Sequence, residues 1–188
     1  MTIVVPLRPE ALIPLAPLSL VIGGARSGKS VFAETMVTAH AARVGQQPVY
    51  IATAEVCDDE MAERVRYHRN RRGNMWCTVE SPLQIEDSLK KLPKGAPILV
   101  DCLTMWLANL LLAGRDSTVS ITSLLARLIA APGPVVVVSN IVGCGIVPDN
   151  AIARAFRDHA GHLNQRVAVA ARCVILVTAG LPLVLKAL

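Results

Sequence analysis

The chain has 188 residues, 53% hydrophobic and 3% aromatic, with a net charge of +5. That length suits one domain with a sizeable core, and the aliphatic bias suits a parallel sheet covered by helices on both faces. The small charge excess, without a basic tail or an aromatic platform, argues against a single-strand nucleic-acid binder.

Residues 1–17 are apolar but interrupted by Pro6, Pro9, Pro14 and Pro17, and they carry Arg8 and Glu10. They read as an N-terminal extension, and residues 18–188 as a single catalytic domain. No run reaches the length of a spanning helix without polar residues. The five cysteines form no C-x-x-C pair, which points to a reduced, cytoplasmic protein.

Leu18 to Ile22 is a short apolar run that predicts a buried strand, and residues 30–44 predict a helix closed at Gly45. Between them lies Gly23-Gly24-Ala25-Arg26-Ser27-Gly28-Lys29-Ser30, which fits G-x-x-x-x-G-K-[ST] at every fixed position. Glycines let successive backbone N–H groups turn inward onto a phosphate. Lys29 has the reach for the β- and γ-phosphates, the Ser30 hydroxyl is a ligand for Mg²⁺, and the helix N-terminus adds partial positive charge. A glycine-rich turn that binds nothing is the competing reading.

Residues 48–53 predict the second strand, followed by Glu55 and Asp58-Asp59-Glu60. Ligands of open α/β sheets bind beyond the carboxyl ends of strands, so this acidic group lies near the right place; a helix N-cap is its structural alternative. Residues 59–72 predict a helix with Glu60, Arg64 and His68 on one face. Arg64, Arg66, Arg69, Arg71 and Arg72 concentrate positive charge there, suited to a triphosphate or a phosphorylated substrate. By spacing alone, a solvated basic face is the favoured reading, and for His68 a plain surface histidine still more so.

Residues 76–79 predict a short strand with Glu80 at its end, and residues 83–92 a helix stopped before Pro93. Residues 96–101 predict an apolar strand ending in Asp101, a carboxylate placed to hold Mg²⁺ directly or through water. Helices are predicted over 103–112 and 121–131, divided by a turn at Gly114-Arg115-Asp116. A buried strand over 134–139 leads into the glycine-bearing loop 140–148, which either borders a ligand or simply connects. Residues 151–172 predict a long amphipathic helix with Ile152, Phe156, Leu163 and Val167 on or near its buried stripe. Strands follow over 174–177 and 181–185. The alternation of β and α predicts a mostly parallel sheet with right-handed crossovers.

These pieces together resemble the bifunctional adenosylcobinamide kinase/adenosylcobinamide-phosphate guanylyltransferases of cobalamin synthesis. The likeness rests on the glycine loop, Tyr50-Ile51-Ala52-Thr53-Ala54, Asp58-Asp59-Glu60-Met61, Arg64 and His68-Arg69. It continues through Asp101-Cys102-Leu103-Thr104, Asn109-Leu110-Leu111, residues 142–148, Phe156-Arg157-Asp158, Gly161 and Asn164-Gln165. The resemblance implies a RecA-like P-loop fold and two reactions. A nucleoside triphosphate, ATP or GTP, phosphorylates adenosylcobinamide; GTP then gives GMP to a histidine, which passes it to the cobinamide phosphate. By resemblance the histidine is His68, and nucleotide contacts map onto Ala54, Glu55, Val56, Arg69, Asn70, Arg71, Arg72, Glu80 and Asp101. Mg²⁺ at Ser30 and Asp101, a homotrimer, and no nucleic-acid partner belong to the same expectation. Where the family pattern calls for Glu after Asn140, this chain has Ile141. Two alternatives are a P-loop small-molecule kinase that leaves His68 idle and a nucleotide-dependent assembly ATPase.

Overall fold

The computed structural model describes residues 15–55, 59, 62, 63, 66, 69, 70 and 73–187. The sheet has seven strands: β1 (Leu18–Gly23), β2 (Val49–Ala52), β3 (Cys77–Glu80), β4 (Ile98–Asp101), β5 (Val135–Asn140), β6 (Cys173–Thr178) and β7 (Leu181–Ala187). Their order is β3-β2-β4-β5-β1-β6-β7; the first six are parallel and β7 pairs antiparallel with β6. The predicted mostly parallel α/β sheet is therefore observed.

The central strands are aliphatic because both of their faces are covered. On one face α1 (Lys29–Val44) packs Phe32, Ala33, Met36 and Val37 against Val21, Val136, Val138 and Ile175. The opposite face is covered by α2 (Ile85–Lys90), α3 (Leu103–Leu112), α4 (Ser117–Ile129) and α5 (Ala151–Ala170). Their buried Ile85, Leu103, Trp106, Leu124 and Leu163 form a core with Leu20, Ile51, Val100 and Val137. Residues 59, 62, 63, 66, 69 and 70 are helical, in line with the expected helix.

One helix start and one burial assignment differ most from the reading of the sequence. α4 begins one turn earlier than predicted, because Asp116 caps it by accepting the N–H groups of Thr118 and Val119. Ile152 is corrected from buried stripe to surface: it is 79% exposed, because the first turn of α5 runs beyond the sheet that buries Leu163 and Val167.

Residues 15–17 are tied to α1 and the sheet. Leu15 is buried, and its N–H donates to His40 Nδ1 at 3.1 Å. Pro17 O accepts from Val135 N–H at 2.9 Å. The His40 ring is therefore neutral at Nδ1, and burial, reinforced by Arg43, holds its pKa below the ordinary value. The native state resists protonation more than the unfolded chain does. This stabilisation is complete above the unfolded pKa of 6.5 and is lost as pH falls through the lower native value. Between pH 7 and 5 the urea midpoint should fall in the wild type, and fall less in His40→Asn, which keeps an acceptor but does not titrate. Parallel pH profiles for the two proteins would overturn this.

Candidate nucleotide site

β1 and β5 are adjacent and parallel, with Gly23 opposite Asn140. The chain leaves β1 toward α1 on one face and leaves β5 toward α5 on the other. Connections that part in opposite directions open a crevice at the carboxyl edge, where open α/β sheets bind ligands. The glycine loop forms one wall.

Gly28 takes φ 93°, which a side chain would strain, and precedes α1 as its N-cap without any side-chain cap. The first N–H groups of α1 are thus left to an anion. Lys29 is 8% exposed, and its Nζ donates to Gly24 O at 3.0 Å. Burial lowers the Lys29 pKa, while the nearby Asp101 carboxylate pulls it back up. The fold thus brings together the two charged groups that the sequence placed 72 positions apart.

Asp101 ends β4, and Tyr50 Oη donates to its Oδ2 at 3.0 Å. Tyr50 in turn meets Trp76 edge-on, with ring centroids 5.8 Å apart. Beside Asp101, Thr53 Oγ1 donates to Cys102 O and accepts from Cys102 N–H, each at 2.7 Å. Asn109 Nδ2 donates to Thr53 O at 2.8 Å and to Pro82 O at 3.1 Å. These contacts hold the strand ends around Asp101 in one position. Cys102 is not a nucleophile here: burial first, then Asp101, push its thiol pKa up to about 12.

The other predicted residues fall elsewhere. Glu80 ends the edge strand β3, where Arg69 Nη2 lies 3.8 Å from Glu80 Oε1. Both are well exposed, so the pair contributes little stability. Four strand spacings separate β3 from β1, about 19 Å at the usual 4.8 Å. Asp101 stands midway between them. Arg69, Asn70, Gly73, Asn74, Trp76 and Thr78 line a polar hollow of about 460 Å³ at this edge. Ala54 and Glu55 follow β2, next to β4 in the sheet. Val56, His68, Arg71 and Arg72 lie outside the described residues, as do Asp58, Glu60 and Arg64.

One contact was not foreseen. The β6–β7 turn presses on the glycine loop: Gly180 N–H donates to Ser27 O at 2.9 Å. A Cβ on Gly28 would stand 3.3 Å from Gly180 Cα. Gly180 itself takes φ 77°. Its signal in the sequence was a lone glycine between two apolar runs. Gly180→Ala should strain this turn by about 1 kcal/mol and raise the nucleotide KM several-fold, with the second substrate's KM unchanged. Gly180→Asn, which tolerates the left-handed region, should restore much of it. Equal effects on both KM values would reduce the contact to general stability.

The oxygen donors suit magnesium. Ser30 and Asp101 offer a hydroxyl and a carboxylate, and among the described residues no three His, Cys, Asp or Glu gather as a metal site. A hydroxyl and a carboxylate are hard oxygen donors of the kind Mg²⁺ takes, with phosphate and water oxygens able to complete its shell. Among the described residues no helix is long and apolar enough to cross a membrane.

Known proteins resemble this chain in fold and in sequence. FlaH, a flagellar accessory protein of Methanocaldococcus jannaschii, superposes with a TM-score of 0.50 at 16% identity, covering 92% of this chain and 80% of its own; the likeness concerns the fold alone. The bifunctional adenosylcobalamin biosynthesis protein CobP of Pseudomonas aeruginosa is 42% identical, over 89% of this chain and 96% of its own. The bifunctional adenosylcobalamin biosynthesis proteins CobU of Escherichia coli and Salmonella typhimurium are 38% and 39% identical, each over 89% of this chain and 98% of their own. Residues 19–185 match the family described as cobinamide kinase / cobinamide phosphate guanyltransferase. Matched over most of its length by that family and by these relatives, this chain belongs to the cobinamide kinase/cobinamide phosphate guanyltransferase family.

Proposed function

We propose that this enzyme phosphorylates adenosylcobinamide and then, through a guanylyl-histidine at His68, converts the phosphate to adenosyl-GDP-cobinamide. The observation that carries the kinase half is Lys29 buried in the glycine loop, with Nζ 3.0 Å from Gly24 O, at the start of a helix without a side-chain cap. In that step the substrate hydroxyl oxygen attacks the γ-phosphorus. The bond to the bridging oxygen breaks, the nucleoside diphosphate leaves, and the hydroxyl proton is released. The glycine loop and the α1 N-terminus bind the phosphates, and Lys29 neutralises charge on the β- and γ-oxygens. Ser30 and Asp101 would hold Mg²⁺, which supplies further charge neutralisation when bound. Tyr50 orients the Asp101 carboxylate by its hydrogen bond.

In the second step an imidazole nitrogen of His68 attacks the α-phosphorus of GTP and pyrophosphate leaves. A phosphate oxygen of the cobinamide phosphate then attacks the same phosphorus, the P–N bond breaks, and the imidazole is regenerated. Family membership and the arginines around His68 support this assignment, with Val56, Arg69, Asn70, Arg71, Arg72 and Glu80 as guanosine-nucleotide contacts. One observation favours a kinase-only reading: Ile141, next to the glycine loop, replaces the carboxylate expected there. Labelling with GTP carrying the label on its α-phosphate decides between them. A covalent GMP adduct supports the two-step enzyme; a corrinoid kinase that never labels supports the alternative.

The same reading places the enzyme in the cytoplasm, where the four described cysteines, all unpaired, would stay reduced. It also includes a homotrimer. The exposed Leu181, Leu183 and Leu185 on edge strand β7 support self-association.

A further inference from the structure

Facing the glycine loop, the second wall of the crevice is the segment 141–152. Its root is held tightly. Asn140 N–H donates to Thr104 Oγ1 at 2.7 Å, Asn164 Nδ2 donates to Asn140 O at 3.0 Å, and Ile141 N–H donates to Gly23 O at 3.0 Å. The last of these bonds ties the wall directly to the glycine loop.

Beyond the root the segment turns aliphatic side chains to the surface. Val142 is 37% exposed, Ile146 97%, Val147 60% and Ile152 79%. Eleven residues at 100° each bring Leu163 within about 20° of the Ile152 azimuth. Ile152 therefore shares the helical phase of buried Leu163, yet lies exposed in the first turn of α5. Four exposed aliphatics thus fall within eleven residues of a segment rooted on the glycine loop, a concentration that suits an apolar partner.

Resting on the functional reading above, we propose that Val142, Ile146, Val147 and Ile152 seat the corrin ring of cobinamide. The substrate class is the one for which the family is named. Its macrocycle is broad, and methyl groups set among the amide arms of its rim offer aliphatic contact area. Its hydroxyl arm must reach the γ-phosphate held by the opposite wall. An aliphatic shelf fastened to Gly23 meets both demands.

The test is kinase kinetics on Ile146→Asp and Ile152→Asp, with the milder Ile146→Ser and with Val169→Asp as an equally exposed control at the far end of α5. A charge under the ring should raise the cobinamide KM roughly tenfold or more, with the nucleotide KM within about twofold and Val169→Asp unchanged. An unaltered cobinamide KM in both crevice variants overturns the proposal. So does a loss of activity that tracks a fall in sedimentation mass, which would make this surface a contact between copies of the chain. Equilibrium dialysis with cobinamide separates the two readings. If the wild type binds cobinamide without phosphorylating it, and Ile146→Asp does not bind, the shelf stands and the kinase assignment falls. If the wild type does not bind cobinamide, the shelf falls.

Discussion

Lys29→Ala should cut the kinase rate by roughly 10²–10³-fold while the protein stays folded. Lys29 is almost wholly buried, with Nζ held 3.0 Å from Gly24 O. That bond parks the ammonium inside the loop, a short swing from any phosphate bound there. Burial lowers its pKa and Asp101 opposes the shift, so the charge is kept in a place where it is weakly solvated. A cation there interacts strongly with a developing phosphate charge, because little water competes. Removing it also removes a desolvated charge, so the thermal midpoint should change little. Lys29→Arg should not rescue: the planar guanidinium is wider and cannot follow the path of a point charge on a flexible stem. Phosphorylation kinetics at saturating nucleotide, with the melting temperature alongside, are the measurements. Retention of the wild-type rate in Lys29→Ala would remove the glycine loop from the chemistry.

His68→Ala should abolish covalent GMP labelling, by roughly 10³-fold or more, yet leave phosphorylation of the corrinoid intact. The split follows from the chemistry: the hydroxyl attacks the γ-phosphorus without help from a histidine, whereas the guanylyl transfer passes through one. The adduct should be acid-labile and alkali-stable, as a phosphoramidate is. The other three histidines make poor substitutes. His40 is buried and its Nδ1 is engaged by Leu15; His159 Nδ1 lies 3.2 Å from Ser117 Oγ; His162 sits with it on α5, across the sheet from α1. Labelling that survives in His68→Ala, located by peptide mapping on another residue, would overturn the assignment.

The fold was largely legible because the cues were local and strong. Apolar runs ending in Gly23 and Asp101, and the α1 pattern ending at Gly45, placed elements within one or two residues. Errors arose where a tertiary edge overrode a local pattern. Ile152 keeps the helical phase of a core residue, but the sheet stops short of it. Asp116 read as part of a turn, and it is a cap.

The sequence by itself determined the glycine loop, its strand and helix, the carboxylate at the tip of β4 and the family pattern. These depend on residue type and spacing along the chain, which periodicity and turn chemistry report directly. Only the tertiary structure decided that β1 lies two strands from β4, so that Asp101 acts on Lys29. It alone set Tyr50 against Asp101, Gly180 against Ser27, and Ile141 against Gly23. Strand order and the parting of the β1 and β5 connections are long-range choices. They are made by burying two faces of one sheet at once, and no stretch of neighbouring residues carries that information.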